Sequence, residues 1–253
     1  MADETRLVPA VERAVRIMDI IAADGPMILS DIARALSLPK SSVHGLCHTL
    51  CHLNLLREKS GRYSLGTRSL RWSGAAMDES SLIAEFKDLL DCTTDLQRYT
   101  VTLSTLLGDE VIYLACQNSS APLGVSFRIG MRLPASFTAT GKAMLSHLPP
   151  RDLATLLDQP FPTALTDTSV QSADALLSEL ELARSCGYSV DNGQVRAGMC
   201  CLGAAVLDAG GNIVAGVALS MTTAEAKAPT IEAMGTSIAD FALQLSRRVG
   251  FRN

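Results

Sequence analysis

Three of the chain's four histidines, His44, His48 and His52, stand four residues apart in the stretch SSVHGLCHTLCHL, with Cys47 and Cys51 threaded between them. Imidazole and thiolate groups four apart on a helix can share one metal ion, so His44, Cys47, His48 and Cys51 form a candidate metal- or redox-responsive ridge. A zinc site would need further ligands from elsewhere, and the remaining histidine, His147, lies in another segment. The same spacing has a second use. At about 100° per residue, Ser41 and the three histidines share one arc of a helix, while Val43, Leu46, Leu50 and Leu53 cover the opposite one. Leucines turned inward would then leave a row of imidazoles facing a polar partner. A solvated helix face with no role is the third reading.

The flanking residues favour nucleic acid as that partner. Lys40, Ser41 and Ser42 begin the helix, where hydroxyls and backbone N–H groups suit phosphate. His44 and His48 are candidate donors to base edges or phosphates, and nearby phosphates would favour their protonated forms. Upstream, Val11, Ala14, Val15, Met18 and Ile21 recur at helical spacing until Asp24-Gly25-Pro26. A short helix follows with Ser30 as its expected N-cap, and Ser37-Leu38-Pro39 breaks it from the helix of residues 40–53. Residues 55–58 and 62–66 read as two strands around a polar turn, with Arg57, Lys59 and Arg62 forming a basic tip. Three helices and a small hairpin make a winged helix-turn-helix, which places a helix in the major groove.

The net charge of −4 argues against this partner until it is divided along the chain. Residues 30–75 carry seven Lys/Arg against Asp31 and Glu58, whereas the segment from 76 onward carries 12 basic against 19 acidic residues. A basic module on an acidic body is the expectation. With 47% hydrophobic residues and no long apolar run, the chain should fold into soluble cores, bind no membrane and reside in the cytoplasm. Its seven cysteines lack a spaced framework and are expected as reduced thiols.

Residues 67–98 read as a helical connector; its lone Trp72 is expected in packing or at a dimer contact. From Tyr99 the period changes to strands, in YTVTLSTLLGDEVIYLACQ and GVSFRIGMRLPASF. Helices are expected over 138–148, up to Leu157 and over 172–186, where Leu176, Leu177, Leu180, Leu182 and Ala183 form a stripe ended by Gly187. Met199–Leu207 and Ile213–Met221 read as a buried antiparallel hairpin, and an amphipathic helix closes the chain. The fold class is α+β. The expected domains are a winged helix over 1–66, a helical linker over 67–81 and a larger domain over 82–253.

In order along nearly the whole chain, VERAVRIMDIIA, LSDIARALSLPKSSVHGLCHTL, GRYSLGTRSL, GDEVIYLA, RIGMRLPASFTATGKAML and SCGYSVDNGQVRAGMCCLGAAVLDAGGNIVAGVALSM resemble the IclR family of bacterial transcriptional regulators. The resemblance implies operator DNA as a partner, a homodimer or homotetramer, and a C-terminal, GAF-like effector domain with an antiparallel sheet and flanking helices. Its ligand would be a small, often carboxylate-bearing metabolite; no cofactor, catalytic residue or metal is implied. Carried over by position, the effector pocket would include Thr138, Ala139, Gly141, Asp191, Cys201, Ser220 and Thr222. The family commonly has Arg where this chain has Gly45, which shifts DNA contacts toward His44 and His48 and weakens the helix by about 1 kcal/mol relative to Ala.

The residues leave alternatives open. Ser220 and Thr222 share a strand face and, with a helix start at 138–141, would suit a carboxylate; equally, they could satisfy local backbone groups. Cys201 could be a small buried hydrophobe and Asp191 a turn cap. A catalytic Cys201 would need a base, and His147 is the sole histidine in that half. An enzyme is not expected.

Overall fold

The computed structural model describes residues 8–72, 81–119 and 126–251. It divides into two compact units, Met1–Glu79 and Ser80–Asn253.

In the first unit, α1 (Pro9–Asp24) begins at a proline, whose fixed φ suits the first helical position, and stops at Gly25 with φ +82°. After β1 (Met27–Ile28) come α2 (Leu29–Ala35), α3 (Lys40–His52), β2 (Leu56–Lys59) and β3 (Arg62–Leu65). The strands form an antiparallel sheet in the order β1-β3-β2. Ser60 and Gly61 both have positive φ, as a two-residue hairpin turn requires, so Lys59 and Arg62 face each other at the wing tip. Ile17, Ile21, Ile32, Val43, Cys47, Leu50 and Leu56 form the core.

Two expectations fail here. Ser30 lies inside α2 rather than capping it: Met27 and Ile28 pair with Tyr63 and Arg62, so the chain passes directly from a strand into the helix, with Ile28 at the N-cap. Leu53 is 40% exposed because the helix has ended at His52, and Leu55 and Leu56 fill the core in its place. Helical residues 68–72, α4, open the connector, with the Arg68 guanidinium 5.7 Å from the Trp72 ring centre. Trp72 is half exposed. The rest of the expected linker helix, including Ala75 and Met77, lies outside the described residues.

The second unit is built on a six-stranded antiparallel sheet in the order β6-β5-β4-β9-β8-β7. Its strands are β4 (Thr100–Leu107), β5 (Glu110–Gln117), β6 (Arg132–Pro134), β7 (Ser189–Asn192), β8 (Met199–Leu207) and β9 (Ile213–Thr222). Helices α5 (Ser81–Cys92), α6 (Thr94–Gln97), α7 (Ala139–Leu145), α8 (Pro150–Leu157), α9 (Ala173–Cys186) and α10 (Ala228–Arg248) accompany it. Successive residues of β8 alternate between two packed faces. On one face, α7 lies so close that a Cβ at Gly203 would sit 2.6 Å from the Ala139 carbonyl carbon. On the other, α10 covers β8 and packs on α5 through an edge-on Phe86–Phe241 pair with centroids 5.9 Å apart.

Between Phe127 and Phe137 only Arg132–Pro134 forms a strand, paired with β5, so the strand expected before Gly130 is absent among the described residues. The helix from Thr138 ends at Leu145, before the Pro149-Pro150 stop. Leu182 is 61% exposed: α9 buries Leu176, Leu180 and Ala183, and position 182 falls outside that arc. No helix among the described residues is long and apolar enough to cross a membrane.

Candidate functional site

Two surfaces collect the chemically capable residues, one in each unit. On α3, Val43, Cys47 and Leu50 are buried, while Lys40, Ser41, Ser42, His44, Gly45, His48 and His52 are exposed. The inward anchor and the outward imidazole row thus separate as the helical period requires. Arg57, Lys59 and Arg62 are exposed on the wing, and Arg62 donates to the Pro26 carbonyl at 3.1 Å, which ties the tip to β1. Arg34 is paired with Asp31 at 2.7 Å, and Arg68 donates to the Leu53 carbonyl. Lys40, Arg57 and Lys59 have no ion pair among the described residues.

The metal ridge does not assemble. Cys47 is fully buried, and burial, followed by the neighbouring Cys51, pushes its thiol up to about 11, away from the thiolate a metal needs. His44 and His48 are exposed, whereas Cys47 is turned into the core. Among the described residues no group of three or more His, Cys, Asp or Glu side chains is placed to hold an ion.

The second surface is a small cavity of about 10 Å³, room for roughly one water, between the α7 start and the sheet. In-register pairing makes Asp191, Cys201 and Ser220 neighbours in one row across β7, β8 and β9. The Cys201 Sγ and Ser220 Oγ are 3.1 Å apart. Thr138 and Ala139 line the roof, and Thr138 caps α7, its Oγ1 accepting from the Gly141 N–H at 3.0 Å.

Five of the seven sequence-derived pocket residues therefore meet at the cavity: Thr138, Ala139, Asp191, Cys201 and Ser220. Gly141 does not line it; its N–H is committed to Thr138, and a Cβ there would sit 2.2 Å from the Ala135 carbonyl oxygen. Thr222 does not reach it either, because its hydroxyl donates to Glu225 Oε2 at 2.6 Å at the end of β9. Sequence reasoning missed Thr102, Tyr113, Phe127 and Thr140 as lining residues. Thr140 lay within the quoted ATGK stretch, but only the fold shows that its hydroxyl is buried without a hydrogen-bond partner among the described residues.

Buried Asp191 is a turn cap as well as a lining residue. Its Oδ1 accepts from the backbone N–H groups of Gln194 (2.7 Å) and Val195 (3.3 Å). Burial raises its carboxyl to about 6, against the lowering influence of Lys142 and those two N–H groups. The Cys201 thiol is held well above its ordinary range, first by burial and then by Asp191, so it is no activated nucleophile. Behind this wall lies Lys142, its side chain 1% exposed. Its Nζ donates to Glu179 Oε2 at 2.6 Å and to the Val190 carbonyl, and Gln194 Nε2 donates to both Glu179 oxygens.

A winged helix followed by an α+β unit with a small cavity between a helix start and the sheet is the architecture of a bacterial transcription regulator with a ligand-binding C-terminal domain. The chain belongs to the IclR family: residues 74–247 match the model of the bacterial transcriptional regulator IclR C-terminal domain, and residues 10–60 match the IclR helix-turn-helix domain. It is similar to the HTH-type transcriptional regulator BhcR of Paracoccus denitrificans, 28% identical over 97% of this chain and 88% of that one. The crystal structure of the Agobacterium tumefaciens repressor BlcR is 43% identical over 98% of this chain and all of that one, with a TM-score of 0.66. An IclR homologue from Microbacterium hydrocarbonoxydans, complexed with 4-hydroxybenzoate, shares the fold at 22% identity and a TM-score of 0.78, over 95% of this chain and 98% of that one. The protein is a regulator and not an enzyme.

Proposed function

We propose that the chain binds operator DNA as a homodimer or homotetramer, through Lys40, Ser41, Ser42, His44, Gly45 and His48 of α3 and Arg57, Lys59 and Arg62 of the wing. The domain limits fitting this role are 1–66 for DNA, 67–81 for the linker and 82–253 for effector and assembly. A small organic acid is the effector, held by Thr138, Ala139, Asp191, Cys201 and Ser220. It alters DNA affinity by binding one arrangement of the assembly better than another. The observation that carries the reading is the α3 surface, where an anchored apolar face leaves lysine, serines and histidines exposed beside a basic wing whose Arg57 and Lys59 have no ion pair among the described residues.

Footprinting and mobility shift on the DNA beside its own gene test this directly. Lys40→Ala should weaken binding to all sequences alike and lower the salt slope by about one, as expected for one lost phosphate contact. His44→Ala should instead cost about 1–3 kcal/mol on the cognate site alone, as a base-edge contact would. Sequence-blind binding by the unaltered protein would refute the assignment. Gly45→Ala is expected to stabilise the first unit by up to about 1 kcal/mol in urea unfolding, since a Cβ there meets open space and the helix loses a glycine.

A further inference from the structure

The cavity is built for a group that brings a proton. Its described lining contains a carboxylate and several hydroxyls but no cationic side chain. The nearest ammonium, Lys142, belongs to the same helix, yet it is turned to the far side and committed to Glu179 and Val190. Neither backbone N–H held by Asp191 uses Oδ2; both go to Oδ1. A second observation points to an occupant: Thr140 lines the cavity and is 1% exposed, and its buried hydroxyl has no hydrogen-bond partner among the described residues. A buried hydroxyl left this way costs stability until something meets it.

An anionic ligand placed here would set one carboxylate against another with no cation in the described lining and with Lys142 already paired to Glu179, and two carboxylates in one site retain a proton between them. We infer that an acid effector enters this cavity with uptake of one proton, which it shares with Asp191, so that ligand and side chain together carry one negative charge. This rests on the reading of the cavity as the effector site. The proton comes from solvent, and no bond other than O–H is made. Charged and titratable groups facing Asp191 are Lys142 from α7, Glu179 from α9, Tyr113 from β5 and Cys200 and Cys201 from β8. Burial raises the thiols and the phenol, so they stay neutral near pH 7, and the acid–Asp191 pair takes the proton.

The test is calorimetric titration of the full chain with 4-hydroxybenzoate and a panel of short-chain and aromatic monocarboxylic acids, each beside its alcohol. Measurements run from about pH 5 to about pH 8 in paired buffers of different ionisation enthalpy. An acid that binds should take up about one proton above the titration of Asp191, its affinity falling about tenfold per pH unit there. Asp191→Asn should abolish both the uptake and the pH dependence. An acid bound with no proton uptake and equal affinity across the range overturns the inference, as does binding of alcohols without acids, while in both cases the effector-site reading survives. If no member of the panel binds at any pH, that reading falls together with the inference.

Discussion

Replacing Glu179 by alanine should destabilise the second unit by about 3 kcal/mol, read as a lowered urea midpoint at unchanged slope. The reason is the asymmetry of a buried ion pair. Lys142 is enclosed on α7 and Glu179 is partly open on α9, so the variant strands an ammonium whose desolvation is already complete. The Val190 carbonyl remains as a partner, which keeps the loss toward the low end of the range for a broken buried pair. Removing both charges separates the two terms. Lys142→Met with Glu179→Leu should recover most of the stability, because well-packed apolar side chains replace a buried pair at little cost. If Glu179→Ala alone is harmless, the ammonium has found water and the wall behind the cavity is looser than its hydrogen bonds imply.

A change of comparable size and opposite sign is expected at Asp191. Its carboxyl titrates at about 6 in the folded chain against an ordinary value of 3.8, so the folded state holds its proton more tightly than the unfolded state. The stability tied to that proton is fully present below about pH 4 and is lost as pH rises through about 6. Two pH units correspond to about 3 kcal/mol. Asp191→Asn keeps an oxygen for the Gln194 and Val195 N–H groups and never ionises. Its stability advantage over the native residue should therefore grow by about 3 kcal/mol between about pH 4 and about pH 7, then level off. Parallel urea curves at several pH values measure it, and a difference that stays flat across that window would show that the carboxylate is better solvated than its burial indicates.

What could be read from sequence was what repeats locally. The inward and outward faces of α3 follow from Val43, Cys47 and Leu50 at helical spacing, and the β8–β9 hairpin follows from two apolar runs around a glycine turn. Errors gather where a distant partner decides. Ser30 was displaced from its cap by a two-residue strand whose mate is more than 30 positions away, and β7 is a strand only because β8 lies beside it. The same holds for the cavity. Asp191, Cys201 and Ser220 came from a family pattern, whereas Thr102 and Tyr113 reach it through sheet order alone. Lys142 carried no local sign of burial, since its carboxylate is 37 residues away on another helix.

The close approach of α7 to the sheet sets a limit on what this cavity can become. At Gly203 and Gly216 the strands present bare backbone: an added Cβ would collide with the Ala139 carbonyl at the first and press within 3.0 Å of Thr140 at the second. With no slack above those glycines, the ceiling is a fixed height. If the proposed effector site is correct, a guest of another size is admitted sideways, by trading bulk at the lining residues Val195, Met199 and Ala218, as a low room is enlarged by moving its walls.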